Sequence, residues 1–214
     1  MALGLHFRGD DEWLCGDDEW LRGDDEWRRA NNRICLKDER TNMNHGLREN
    51  MNILVLGVGN LLLRDESVGV HLVNELEQEF YFPKGVDVVD GGTAGMELLE
   101  FIADREHIII IDAVLTGDKP GTVVNLRDDE VPALFHNKVS PHQLGISDLL
   151  GALKLTGESP KNIFLVGVVP KTVEPGLEMS DTVKSQIGLM KKQVIDYLSN
   201  IGVQLETKEA QPCA

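Results

Sequence analysis

Five segments rich in valine, isoleucine and leucine occur in the second part of the chain, and each has the length of a strand. They lie at residues 53–58, 86–90, 107–113, 122–126 and 162–169. The first, third and fifth are nearly continuous apolar runs, as strands buried on both faces of a parallel sheet are. The third run is the most apolar, which predicts a place in the middle of the sheet.

Apolar residues recur at helical spacing between these segments. They predict helices over residues 65–80, from Thr93 through 102, over 146–154 and over 181–198, with residues 128–145 as a long connection. Strands that alternate with helices in this way predict an α/β fold. We expect a single three-layer domain over residues 51–204, with a mostly parallel twisted sheet and helices on both faces.

Residues 1–50 lack this pattern and contain a tandem repeat instead. The sequence Gly-Asp-Asp-Glu-Trp begins at Gly9, Gly16 and Gly23, so the repeat holds all three tryptophans of the chain. A glycine in every unit disfavours a helix, and the adjacent acids repel one another. We expect a disordered leader; the alternatives are an acidic-aromatic docking segment, or upstream DNA translated before a true start at Met51. Residues 205–214 are predicted to be a flexible tail.

The net charge of the chain excludes two classes of binding partner. The chain has 21 basic and 36 acidic residues, a net charge of −15; residues 1–50 hold 8 and 12 of them, which leaves −11 for residues 51–214. Such an acidic chain is predicted to bind neither nucleic acid nor an anionic membrane. The chain has no apolar run of the length that spans a bilayer, we expect no signal peptide, and the three cysteines are scattered. We expect a cytoplasmic monomer.

Ionisable residues follow several of the predicted strands. Glu66 opens the first helix, Asp90 and Asp112 end the second and third strands, and His142 lies in the long connection. In a parallel sheet, ligands bind outside the carboxyl ends of the strands. The four side chains are therefore expected at one edge of the sheet.

A dinucleotide site is one interpretation of this edge. Gly57-x-Gly59 begins the G-x-G-x-x-G fingerprint, and Asp90 stands where a ribose-binding acid would. The third position, however, is Leu62. The helix would also present Asp65 and Glu66 to a pyrophosphate, which two carboxylates would repel.

A metal site is the second interpretation. Glu66, Asp112 and His142 offer two oxygen ligands and one nitrogen ligand, a mixed set that suits Zn, Ni, Mn or Fe. Three protein ligands leave coordination positions open, as reactive sites do. Each residue also has an ordinary structural role open to it: an acid at a helix start, a turn cap and a loop histidine.

Four motifs, in order and correctly spaced, resemble the hydrogenase maturation proteases. They are Gly57-Val-Gly-Asn-Leu-Leu-Leu-Arg-Asp-Glu-Ser-Val-Gly-Val70, Asp90-Gly-Gly-Thr-Ala-Gly95, Asp112-Ala113 and Ser140-Pro-His-Gln-Leu-Gly145. The likeness runs from about residue 51 to about residue 203, and residues 1–50 have no counterpart. The family often has glycine or alanine where this chain has Ser67.

The resemblance implies an endopeptidase that removes a C-terminal extension from the large-subunit precursor of a [NiFe] hydrogenase. The metal already inserted in the precursor is then the recognition signal, so the cofactor is a divalent metal, nickel carried by the substrate. By motif position, Glu66, Asp112 and His142 match the residues that contact this metal, and Asp90 matches a position tied to activity. The water could be activated by Asp90 or by the metal. A non-catalytic nickel-sensing chaperone and a nucleotide-binding module are the alternative functions.

Overall fold

The structure is a computed structural model that describes residues 51–135 and 141–208, with the backbone alone at 134–135 and 141–145. The leader of residues 1–50 lies outside the described residues. The strands in the described ranges are β1 Ile53–Val58, β2 Phe80–Tyr81, β3 Val86–Gly92, β4 His107–Ala113, β5 Val123–Arg127, β6 Asn162–Val168 and β7 Glu206–Thr207. The helices are α1 Val68–Glu79, α2 Leu99–Ile102, α3 Glu130–Phe135, α4 Pro141–Thr156, α5 Asp181–Lys184 and α6 Ile187–Asn200, and 3₁₀ turns lie at Arg64–Ser67 and Met96–Leu98.

Five strands form one sheet in the order β3-β1-β4-β6-β5. The first four are parallel, and β5 pairs antiparallel with β6. The mostly parallel sheet is thus confirmed, and β4 occupies the middle position that its apolar sequence predicts. The parallel strands bring the ends of β1, β3, β4 and β6 to one edge, called here the carboxyl edge.

Alternate residues of the strands pack into two cores, one on each face of the sheet. Ile109 and Ile111 of β4 pack with α1 and α6 on the first face. Ile108 and Ile110 pack with α2 and α4 on the second face. Helices therefore cover both faces, as the alternation of elements predicts.

Two helix starts differ from prediction. Thr93 does not begin a helix, because the N–H of Ala94 donates to the Gly91 carbonyl at 2.9 Å and the chain turns again before Met96. The fourth helix starts at Pro141, five residues before the predicted position. Proline suits the first position of a helix, since its φ is already helical and its missing N–H would have no partner there.

The described structure continues past residue 204, into the segment predicted to be a flexible tail. Glu206 and Thr207 pair antiparallel with β2, and the Lys208 N–H donates to the Glu79 carbonyl at 2.7 Å. This short ribbon is held by backbone hydrogen bonds, and a hydropathy pattern carries no sign of such bonds. Within the described ranges, the structure has no helix long and apolar enough to cross a membrane.

Candidate functional site

Two of the predicted site residues are buried at the carboxyl edge. Glu66 lies in the 3₁₀ turn between β1 and α1 and is 9% exposed. Asp112 is the penultimate residue of β4 and is completely buried. One Asp112 oxygen, Oδ1, accepts a hydrogen bond from the Ala113 N–H at 2.7 Å. The edge therefore holds two carboxylates that are shielded from water.

Close backbone packing brings the turn that carries Glu66 onto β4. A Cβ atom added at Gly69 would lie 2.2 Å from the Ile111 carbonyl oxygen and 2.3 Å from the Val58 carbonyl oxygen. At Gly59, where φ is +141°, a Cβ would lie 1.8 Å from the carbonyl oxygen of Glu66. Only glycine permits both approaches, because any side chain would push the turn off the strands. The glycines thus place the Glu66 turn against β1 and β4, with Asp112 one residue beyond Ile111.

Asp65, the neighbour of Glu66, has a structural role that sequence reasoning missed. It is completely buried, and its carboxylate accepts hydrogen bonds from the N–H groups of Lys171 (2.8 Å), Thr172 (3.0 Å) and Ser180 (2.6 Å). The Ser180 hydroxyl donates a fourth bond at 2.9 Å. Four donors around one carboxylate fix the loop after β6 against the Glu66 turn.

Ser67 stands where the resembled family often has a smaller residue. Its buried hydroxyl donates to the Arg64 carbonyl within the same 3₁₀ turn, at 2.5 Å. The extra polar group is therefore satisfied locally, and the substitution leaves the turn intact.

His142 is the second residue of α4, and its side chain lies outside the described residues. Residues 157–161 join α4 to the start of β6, which is at the opposite edge of the sheet, so the first turn of α4 is directed toward the carboxyl edge. Side chains alternate between the two faces of a strand, so Asp112 lies on the same face as Ile108 and Ile110, which α4 covers. Among the side chains described, no three metal-ligating residues cluster. The site that includes His142 stays a prediction.

Asp90 occupies a different position from the two buried acids. Its exposed carboxylate accepts bonds from the Gly92 N–H at 2.9 Å and from the Asn74 amide at 3.5 Å. Asn74 is on α1, and because side chains alternate along β3, Asp90 lies on the face of the sheet that α1 covers. Gly57 of β1 pairs with Asp90 of β3 on one side and with Ile111 of β4 on the other. Asp90 and Ile111 are therefore two strand spacings apart, roughly 10 Å between their backbones. Asp90 therefore stabilises the turn after β3 and lies at the margin of the site.

The geometry disfavours the dinucleotide interpretation. The Gly59 N–H, which a phosphate would need, donates instead to the Gly92 carbonyl at 2.8 Å. Asp65 and Glu66 are both buried where the helix begins. A pyrophosphate would meet two carboxylates there and lose a backbone donor.

The chemistry of the three predicted ligands suits a divalent ion. Glu66 and Asp112 would supply hard oxygen ligands, and an imidazole at His142 would add a borderline nitrogen ligand. Such a combination accepts Ni²⁺, Zn²⁺ or Fe²⁺ more readily than Ca²⁺ or Mg²⁺, which favour oxygen alone.

Comparisons with known proteins identify the family of the chain. The hydrogenase maturation protease model HycI matches residues 70–197. The chain is 52% identical over 161 residues to the hydrogenase 2 maturation protease of Escherichia coli (strain K12), covering 75% of this chain and 98% of the relative. It is 38% identical over 154 residues to the hydrogenase expression/formation protein HoxM of Azotobacter vinelandii, covering 71% of this chain and 74% of that protein.

Solved structures give the same result. The hydrogenase maturating endopeptidase HybD from E. coli superposes with a TM-score of 0.72 at 52% identity, covering 74% of this chain and 98% of that chain. The [NiFe] hydrogenase maturation protease HybD from Thermococcus kodakarensis superposes with a TM-score of 0.57 at 28% identity, covering 69% of this chain and 99% of that chain. The motifs, the fold and these likenesses agree, and the chain belongs to the hydrogenase maturation protease family.

Proposed function

We propose that this protein is an endopeptidase that removes the C-terminal extension of a [NiFe] hydrogenase large-subunit precursor once that precursor holds nickel. The observation that carries the proposal is the pair of buried carboxylates, Glu66 and Asp112, on adjoining elements of the carboxyl edge. The helix that begins beside His142 is directed toward the same edge. The names of the relatives support peptidase activity in hydrogenase maturation.

The proposed mechanism treats nickel as part of the substrate. Glu66, Asp112 and His142 complete the coordination shell of the ion that the precursor presents, and three ligands leave room for donors of the precursor itself. Holding the ion in this way fixes the scissile amide against the site. Water then adds to the carbonyl carbon, the C–N bond breaks, and the released amine takes up a proton. The acting form is a cytoplasmic monomer, and its partner is the precursor.

The proposal is tested by incubating the purified chain with nickel-loaded and nickel-free precursor. Intact-mass spectrometry should show loss of the extension from the loaded precursor only, because the ion is the group that the three ligands recognise. Equal cleavage of both forms would remove nickel from the mechanism. Tight binding of the loaded precursor with no loss of mass would show a non-catalytic chaperone instead.

Asp90 can be tested separately, as the base that activates the water. Asp90→Asn should lower kcat about a hundredfold, since the amide no longer takes a proton at neutral pH. The amide oxygen can still accept the Gly92 N–H bond, so the melting temperature should stay near that of the wild type. Asp90→Ala removes both functions and should lower activity and stability together.

These two variants distinguish a catalytic role from a turn-stabilising one. If Asp90→Asn cleaves like the wild type while Asp90→Ala is destabilised, Asp90 acts only in the turn. The metal must then activate the water.

A further inference from the structure

Exposed apolar side chains concentrate around the carboxyl edge. Among the described residues, ten large apolar side chains are at least 42% exposed. Six of them lie in the segments that follow β1, β3, β4 and β6. We call this set the apolar rim: Leu61, Leu62, Met96, Leu115, Val173 and Leu177. Each of these four segments at the carboxyl edge contributes at least one member.

The backbone holds the two most exposed members of the rim in fixed positions. Leu62 is 63% exposed and Leu177 is 72% exposed. The Gly176 N–H donates to the Leu62 carbonyl at 2.9 Å, and the Arg64 N–H donates to the Gly176 carbonyl at 2.9 Å. A Cβ at Gly176 would lie 2.7 Å from Arg64 Nε, so the two loops are in close contact. The leucines are therefore presented by a rigid, preorganised surface.

Rigid exposure of this kind is typical of a binding surface. Exposed apolar side chains that concentrate in one region of a domain often mark a site of interaction, and preorganisation lowers the entropy that binding costs. The rim also contrasts with the rest of residues 51–214, whose net charge is −11. Such an acidic domain would be repelled by anionic lipid, which argues against a membrane as the occupant of the rim.

We infer that the apolar rim seats an uncharged, apolar surface of the hydrogenase precursor around its cleavage site. This inference rests on the proposed function and adds the surface by which the substrate docks. The substrate is the occupant that fits, because the rim segments follow the strands of the carboxyl edge, where Glu66 and Asp112 also lie. A second copy of this chain in that place would block the site.

The test uses the double variant Leu62→Ser/Leu177→Ser and nickel-loaded precursor. Its KM should rise at least about tenfold with kcat nearly unchanged, because the lost contacts act in docking and not at the reacting bond. Direct binding of the same precursor, measured by surface plasmon resonance, should weaken by a similar factor. Leu155→Ser is the matched control: Leu155 is 91% exposed but lies near the end of α4, toward the opposite edge.

The outcomes separate this inference from the proposed function. If the wild type cleaves and the double variant matches it in KM and in binding, the rim is not a docking surface, while the proposed function stands. If the wild type binds the precursor without cleaving it, weaker binding by the double variant still supports the rim. If the wild type neither binds nor cleaves, both proposals fail. An equal rise in KM with Leu155→Ser would also contradict the docking role of the rim, because loss of any exposed leucine would then have the same effect.

Discussion

Asp112→Asn should lower kcat/KM for nickel-loaded precursor about a thousandfold, more than the 10–100-fold typical when a partner of a metal ligand is lost. The side chain is completely buried at the end of β4, so water cannot replace a missing negative charge there. An amide is also a weaker ligand than a carboxylate for a divalent ion. The predicted loss therefore falls on recognition of the ion and on alignment of the scissile bond.

The fold should survive this substitution, because asparagine keeps an oxygen that can accept the Ala113 N–H bond. Circular dichroism and a melting temperature within a few degrees of the wild type would verify that. Asp118→Asn is the control, since Asp118 is exposed in the loop after β4 and bonds only locally to Thr116. Cleavage by Asp112→Asn within tenfold of the wild type would exclude Asp112 from the site.

The sheet could be predicted from sequence because its strands are buried on both faces. Residues 53–58 and 107–113 are nearly uninterrupted apolar runs, and only a central position in a parallel sheet accommodates them. The antiparallel direction of β5 was not predicted. Its pairing with β6 joins segments about forty residues apart and leaves no sign in local hydropathy.

The candidate site was predicted in part, for a related reason. Parallel topology places the ends of β1 and β4 together, so Glu66 and Asp112 were expected at one edge, and both are buried there. Asp65 was assigned only to a helix start, because its partners are 106 to 115 residues away in the chain. The exposure of Leu62 and Leu177 was not predicted either, although Leu61-Leu62-Leu63 in a predicted loop was a visible signal.

Asp65→Ala should lower the free energy of unfolding by roughly 2–3 kcal/mol, because it leaves four part-buried donors without their acceptor. The N–H groups of Lys171, Thr172 and Ser180 all bond to this carboxylate, and so does the Ser180 hydroxyl. A fully buried donor that loses its acceptor costs about 1–3 kcal/mol, and these part-buried donors cost less because water reaches the loosened loop. Urea unfolding followed by circular dichroism measures the change.

Hydrogen exchange tells where the stability is lost. In Asp65→Ala, the amides of Lys171, Thr172 and Ser180 should exchange at least about a hundredfold faster, since they open without unfolding the sheet. The exchange rates of the β4 amides should rise only as far as the fall in the global free energy of unfolding requires. Asp118→Ala, an exposed aspartate with local bonds, should change stability by no more than about 0.5 kcal/mol. A loss below about 1 kcal/mol in Asp65→Ala, with protected amides in the loop, would mean that the Arg64–Gly176 and Gly176–Leu62 backbone bonds hold the loop without the carboxylate.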